Sequence, residues 1–127
     1  MKRYFLLVFV AFITTFCVNA QKKVKNLTVE EFEKGSQTTG VVILDVRTPE
    51  EYQTGHLKNS KLLDISEQSF SASLDKLDKN KAYYVYCQAG GRSSTAVEIM
   101  LEKGFKKVYN LSGGIAAWKK AQKVVEK

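Results

Sequence analysis

The stretch Ala82-Tyr83-Tyr84-Val85-Tyr86-Cys87-Gln88-Ala89-Gly90-Gly91-Arg92-Ser93 joins an apolar, strand-like segment to a helix-like one running from Ser94 to Lys103. A thiol at a strand-to-helix turn meets converging backbone N–H groups and the positive end of a helix dipole, which favours its thiolate. Ala89, Gly90 and Gly91 are small enough for the loop to curl its N–H groups inward as a nest for an anion. Arg92 and the dipole of a helix starting near Ser93 add to that field. Together they are expected to lower the Cys87 pKa from a free value of about 8.5 toward neutrality and to make it a nucleophile. A buried, inert cysteine is the commoner fate of a free thiol, but such a residue needs neither the glycines nor the arginine.

The same alternation of strand and helix extends on both sides of this unit. Around Val24 there is room for a short edge strand, and Thr28-Val29-Glu30-Glu31 reads as a capping box with Leu27 and Phe32 as its staple and Gly35 as the helix end. Val41-Val42-Ile43-Leu44-Asp45-Val46 is the continuous apolar run of a strand buried on both faces of a parallel sheet. Thr48-Pro49-Glu50-Glu51 is a second capping box with proline at the first helical position, and that helix stops near Gly55. Lys61-Leu62-Leu63 is a candidate short strand, and Phe70, Leu74 and Leu77 recur at helical spacing before the turn at Asp78-Lys79-Asn80. Val108-Tyr109-Asn110-Leu111 reads as a last strand, followed after Ser112-Gly113-Gly114 by a helix carrying Ile115, Ala117 and Trp118. Such a chain predicts an α/β, doubly wound sheet of about five mostly parallel strands, with helices on both faces and the active loop at a strand's carboxyl end.

Residues 1–20 have a different character. Lys2 and Arg3 precede an apolar stretch from Tyr4 to Val18, and Val18-Asn19-Ala20 places a small residue at a cleavage point, the pattern of a secretory signal peptide. The apolar stretch is shorter than the roughly 20 residues of a spanning helix and is broken by Thr14 and Thr15, so no stable membrane insertion is expected after cleavage. Lipidation at Cys17 is the alternative, disfavoured by the bulky Phe16. The division expected is a signal peptide over 1–20 and a single domain over 21–127 of an exported, periplasmic protein. Cleavage lowers the net charge from +7 to +5. The remaining lysines, Lys22, Lys23 and Lys25 at one end and Lys119, Lys120, Lys123 and Lys127 at the other, lack interleaved aromatics or a nucleic-acid motif, so they read as a solvated surface. With Cys17 removed, Cys87 has no partner for an intramolecular disulfide. About 100 ordered residues suffice for a core without a metal or disulfide staple.

Three stretches in order resemble the rhodanese family of sulfurtransferases, in its small single-domain form. Leu44-Asp45-Val46-Arg47-Thr48-Pro49-Glu50-Glu51-Tyr52 with Gly55-His56-Leu57 is similar to the family's N-terminal signature. Tyr86-Cys87 with Gly90, Arg92 and Ser93 is similar to its active loop, and Leu111-Ser112-Gly113-Gly114 with Ala117-Trp118 to its C-terminal signature. The resemblance implies that Cys87 takes a sulfane sulfur from thiosulfate or a persulfide and passes it, as a cysteine persulfide, to a thiol or cyanide. In this reading Gln88, Ala89, Gly90, Gly91 and Ser93 form the cradle through their backbones, and Arg92 helps hold an anionic donor. A rival of another class is a non-catalytic binding or redox-sensing module on the same fold.

Cysteine phosphatases also cradle an anion between Cys and Arg, but they resemble one another in having five intervening residues and a preceding histidine. Here four residues intervene and Tyr86 precedes, which fits one transferred sulfur better than a tetrahedral oxyanion. Asp45 and Arg47 share a strand face by period two and are expected to form a fold-holding pair. His56, the single histidine, is expected to hydrogen-bond structurally rather than to transfer protons. Trp118, Tyr83, Tyr84 and Tyr86 read as core. One histidine and one retained cysteine do not make a zinc site, and no glycine-rich nucleotide fingerprint is present, so no metal or cofactor is expected.

Overall fold

The computed structural model describes residues 23–127; the expected signal peptide and Cys17 lie outside them. Five strands, β1 (Lys25–Leu27), β2 (Val42–Asp45), β3 (Ser60–Leu62), β4 (Ala82–Tyr86) and β5 (Lys107–Leu111), form one sheet in the order β1-β5-β4-β2-β3. Every strand pairing in it is parallel. Five helices accompany them: α1 (Val29–Ser36), α2 (Pro49–Thr54), α3 (Phe70–Asp75), α4 (Gly91–Glu102) and α5 (Gly114–Lys120). The chain leaves β2 toward β3 on one side and leaves β4 toward β5 on the other. The crevice at the carboxyl ends of β2 and β4 is therefore the topological switch point where ligands bind in sheets of this kind.

Period-two alternation along the central strands feeds two separate cores. Leu44, Val46, Tyr83, Val85 and Cys87 point to one face and pack with Phe70, Leu74, Ala96, Val97 and Met100 of α3 and α4. Ile43, Tyr84 and Tyr86 point to the other, where Val29, Phe32, Ile115 and Trp118 of α1 and α5 cover them. Tyr83, Tyr86 and Trp118 are buried, in keeping with their reading as core.

Both capping boxes form. Thr28 and Thr48 each accept from the N–H three residues on, and Glu31 and Glu51 each reach back to the cap's own N–H. Gly35, however, does not end α1. The helix continues to Ser36 and caps at Gln37 in a right-handed conformation. The glycine is needed for space: a Cβ at position 35 would overlap the Tyr84 hydroxyl and approach two of its ring carbons to 2.7 Å. The active-loop helix also begins earlier than Ser93 or Ser94, at Gly91, with Gly90 as its N-cap.

The C-terminal tail is more than a solvated basic end. The Trp118 indole N–H donates to the Val124 carbonyl at 3.0 Å, Lys123 pairs with Glu33 at 3.1 Å, and Glu126 exchanges backbone hydrogen bonds with His56, each at 2.8 Å.

Asp45 and Arg47 form a pair with side-chain exposures of 0% and 1%. Arg47 Nε lies 3.0 Å and 3.1 Å from the two carboxylate oxygens, and Nη2 lies 2.7 Å from Oδ2. The Arg47 backbone N–H also donates to Oδ1 at 3.0 Å. Nη2 further donates to the Gly55 carbonyl at 2.7 Å, and the guanidinium lies over the Tyr86 ring at 5.6 Å. Burial opposes the charge on Arg47, but Asp45, with a smaller contribution from Tyr86, more than compensates, and the Arg47 pKa lies above the ordinary value. The pair thus ties the end of β2 to the end of α2. Replacing Arg47 by Met leaves Asp45 buried and unpaired, and should lower unfolding free energy in urea titration by about 3–5 kcal/mol.

Candidate active site

Cys87 is the first residue after β4, and the chain turns back on its side chain at once. Gly90 adopts φ +104, a left-handed conformation open to glycine that turns the chain into the following helix, and its N–H donates to Cys87 Sγ at 3.1 Å. The Ser93 hydroxyl lies 3.2 Å from Sγ and 3.2 Å from the Gly90 carbonyl. It has one proton to donate, and a thiolate is the stronger acceptor. Cys87 itself is 1% exposed. Burial pushes its pKa up, but the Ser93 hydroxyl and the backbone N–H groups of Ser93, Gly90 and Ala89 outweigh burial and bring it below the ordinary value.

The loop is braced from behind by the start of α5. Ile115 N–H donates to the Cys87 carbonyl at 2.9 Å and Ala116 N–H to the Gln88 carbonyl at 3.1 Å. This approach requires glycine at 114, where φ is +62 and a Cβ would lie 2.5 Å from the Cys87 oxygen and the Gln88 carbonyl. Asn110 on β5 donates to the Gly90 carbonyl at 3.3 Å and to Asn26 on β1 at 2.8 Å, linking the loop to the sheet edge.

Sequence reasoning put Gln88, Ala89, Gly90, Gly91 and Ser93 in one cradle, and the structure divides the work among them. Ala89, Gly90 and Ser93 act on the sulfur. The Gln88 carbonyl receives the α5 brace, and the Gly91 carbonyl accepts from the Thr95 hydroxyl at 3.3 Å. Arg92 is engaged by a carboxylate not singled out for the site: Nη1 meets Glu51 Oε1 at 2.7 Å and Nη2 meets Oε2 at 2.8 Å. That pair bridges the switch point between α2 and α4. Arg92 holds the Glu51 carboxyl far below its usual range, at about 2. Asp45 lies at the end of β2 in register with Tyr86, the residue before Cys87, and pairs with Arg47. His56 stacks on Tyr52 at 3.8 Å between ring centroids, and its Nδ1 lies 3.0 Å from the Tyr52 carbonyl, a structural placement.

A rhodanese-like domain model matches residues 28–121, spanning the capped first helix, the Cys87 loop and the glycine turn that braces it. The chain belongs to the rhodanese-like domain family. Among its relatives, the Bacillus subtilis protein YqhL is 32% identical over 116 residues, covering 89% of each chain. A tRNA uridine(34) hydroxylase of Chlamydia muridarum is 36% identical over 107 residues; the match covers 80% of this chain but only 33% of the hydroxylase. The solved rhodanese-related protein of Thermoplasma volcanium superposes with a TM-score of 0.72 at 27% identity, over 80% of this chain and 97% of that one. Glu51, Asn110 and Gly114 are the site residues that sequence reasoning missed. The Gly113-Gly114 pair just after the last strand offered the signal for the last of these.

Replacing Ser93 by Ala removes the strongest support of the Cys87 thiolate, so the midpoint of its alkylation rate against pH should move upward from the wild-type value. Replacing Gly114 by Ala should do the same by pushing the loop away from α5. A midpoint that stays in place in both variants contradicts this account of the loop.

Proposed function

We propose that this protein is a sulfurtransferase that moves a sulfane sulfur through a persulfide on Cys87. The observation that carries the reading is the set of donors converging on Sγ, with Gly90 N–H at 3.1 Å and the Ser93 hydroxyl at 3.2 Å. Donors preorganised around a sulfur anion stabilise charge where it develops, without reorganising during reaction. With thiosulfate, the Cys87 thiolate attacks the outer sulfur and the S–S bond breaks. Its electron pair leaves with sulfite, and Cys87 carries the persulfide. With an organic persulfide the leaving group is a thiolate. The acceptor, a thiol or cyanide, then attacks the outer sulfur and returns Cys87 as thiolate. Both steps are displacements at sulfur, so no external oxidant or reductant is consumed, and no cofactor is called for.

Family membership and the three ordered signatures support this reading, as does the four-residue spacing between Cys87 and Arg92. The hydroxylase name belongs to proteins of which this chain covers 33%, and hydroxylation is not part of the proposal. A binding or redox-sensing module is the second reading, favoured by the 1% exposure of Cys87. The partners proposed are a small sulfur donor and a small acceptor, with no nucleic acid.

The setting proposed is the periplasm, after cleavage behind Ala20. Among the described residues no helix is long and apolar enough to cross a membrane. Intact mass of the protein recovered from expressing cells checks the cleavage. A chain beginning at Gln21 is expected, and one retaining Met1 contradicts it.

Incubating the protein with thiosulfate or glutathione persulfide should add one sulfur atom to its mass on wild type and none on Cys87→Ser. No added sulfur from any donor removes the proposal, and leaves the binding module in its place.

A further inference from the structure

The loop from Cys87 to Ser93 contains one charged side chain, Arg92, and the structure pairs it with a carboxylate. Each Nη donates one N–H to a separate oxygen of Glu51, a bidentate arrangement that is among the strongest a guanidinium makes with a carboxylate and that neutralises its charge. Glu51 is itself fixed from behind, because Oε1 also accepts from the Thr48 hydroxyl at 3.2 Å and the Thr48 N–H at 3.4 Å. The carboxylate is therefore part of the α2 cap as well as the partner of Arg92, and it is held in place when a ligand arrives. Arg92 lies close enough to Cys87 for their charges to interact. Side-chain charge at the mouth of the loop thus cancels, and the donors left at the sulfur are backbone N–H groups and the neutral Ser93 hydroxyl.

We propose that Glu51 selects the sulfur donor: by occupying Arg92 it disfavours dianions such as thiosulfate and leaves the site to persulfides whose charge is confined to sulfur. The proposal rests on the sulfur-transfer reading and adds the donor class to it. A dianionic donor approaching the guanidinium finds both Nη atoms already paired with the Glu51 carboxylate, so the net attraction it feels there is reduced. A persulfide presents one sulfur to the amide-lined bowl and needs no side-chain cation. Glu51 acts here through Arg92, as a positioning residue.

Glu51→Gln tests this without removing the cap, because glutamine at the third helical position also accepts from the cap residue. Two ratios are read. The first is kcat/KM for thiosulfate over kcat/KM for the persulfide of N-acetylcysteine amide. The second is the rate of Cys87 alkylation by iodoacetate over that by iodoacetamide, which requires no turnover. Freeing Arg92 should raise both by about tenfold, the worth of one charged hydrogen-bonding contact to an anion. The thiosulfate gain should appear mainly in KM. In the double variant Glu51→Gln with Arg92→Gln the gain should vanish, which a merely structural role for Glu51 does not predict.

Ratios unchanged by Glu51→Gln, or a gain that persists without Arg92, overturn the inference while persulfide formation on the same protein upholds the sulfur-transfer reading. No persulfide from either donor in any variant overturns both.

Discussion

The site depends on a contest between burial and hydrogen bonding at one sulfur atom. Cys87 belongs to the apolar core beneath α3 and α4, where a thiolate is disfavoured. What reverses that preference is a turn tight enough to bring the N–H of Gly90 and the hydroxyl of Ser93 onto the same atom. Without the left-handed Gly90 the loop does not close, and without Gly114 the brace from α5 does not fit behind it. Glycines on two separate segments therefore serve one electrostatic outcome.

The sheet order determines which groups can meet above that sulfur. Because the chain departs from β2 and β4 in opposite directions, the helices α2 and α4 open a crevice between their N-termini. The Arg92–Glu51 pair spans it, and the buried Asp45–Arg47 pair lies lower, at the end of β2. The two ion pairs differ in kind. The lower one is shielded from water and gives the connection its geometry. The upper one has side-chain exposures of 39% and 32%, so water screens it more than the lower pair.

Local features were legible in the sequence because their causes are local. A β-branched run, two Thr-to-Glu capping boxes, Pro49 and the glycines after Cys87 each constrain neighbouring residues, and the strands and helices followed. The expected ion pair of Asp45 and Arg47 was also within reach, at a spacing of two, although β2 ends at Asp45 and Arg47 lies just beyond it. Gly35 was misread because a glycine near a helix end ordinarily marks a cap, whereas here it admits a tyrosine from a strand dozens of residues away. Glu51 was read as a cap within the N-terminal signature, with no role at the active loop. Its second role needs Arg92, 41 residues further on, and only the parallel pairing of β2 with β4 brings them together. The return of Glu126 to His56 was hidden for the same reason.

The stabilised anion is the claim from which the rest follows, and its direct measure is the thiolate ultraviolet absorbance of Cys87 titrated against pH. The contribution of this residue is obtained by difference from Cys87→Ser, in the folded protein and in the urea-unfolded chain. The account predicts a lower midpoint in the folded protein than in the unfolded chain. A folded midpoint equal to or above the unfolded one contradicts it, because burial would then have prevailed over the loop.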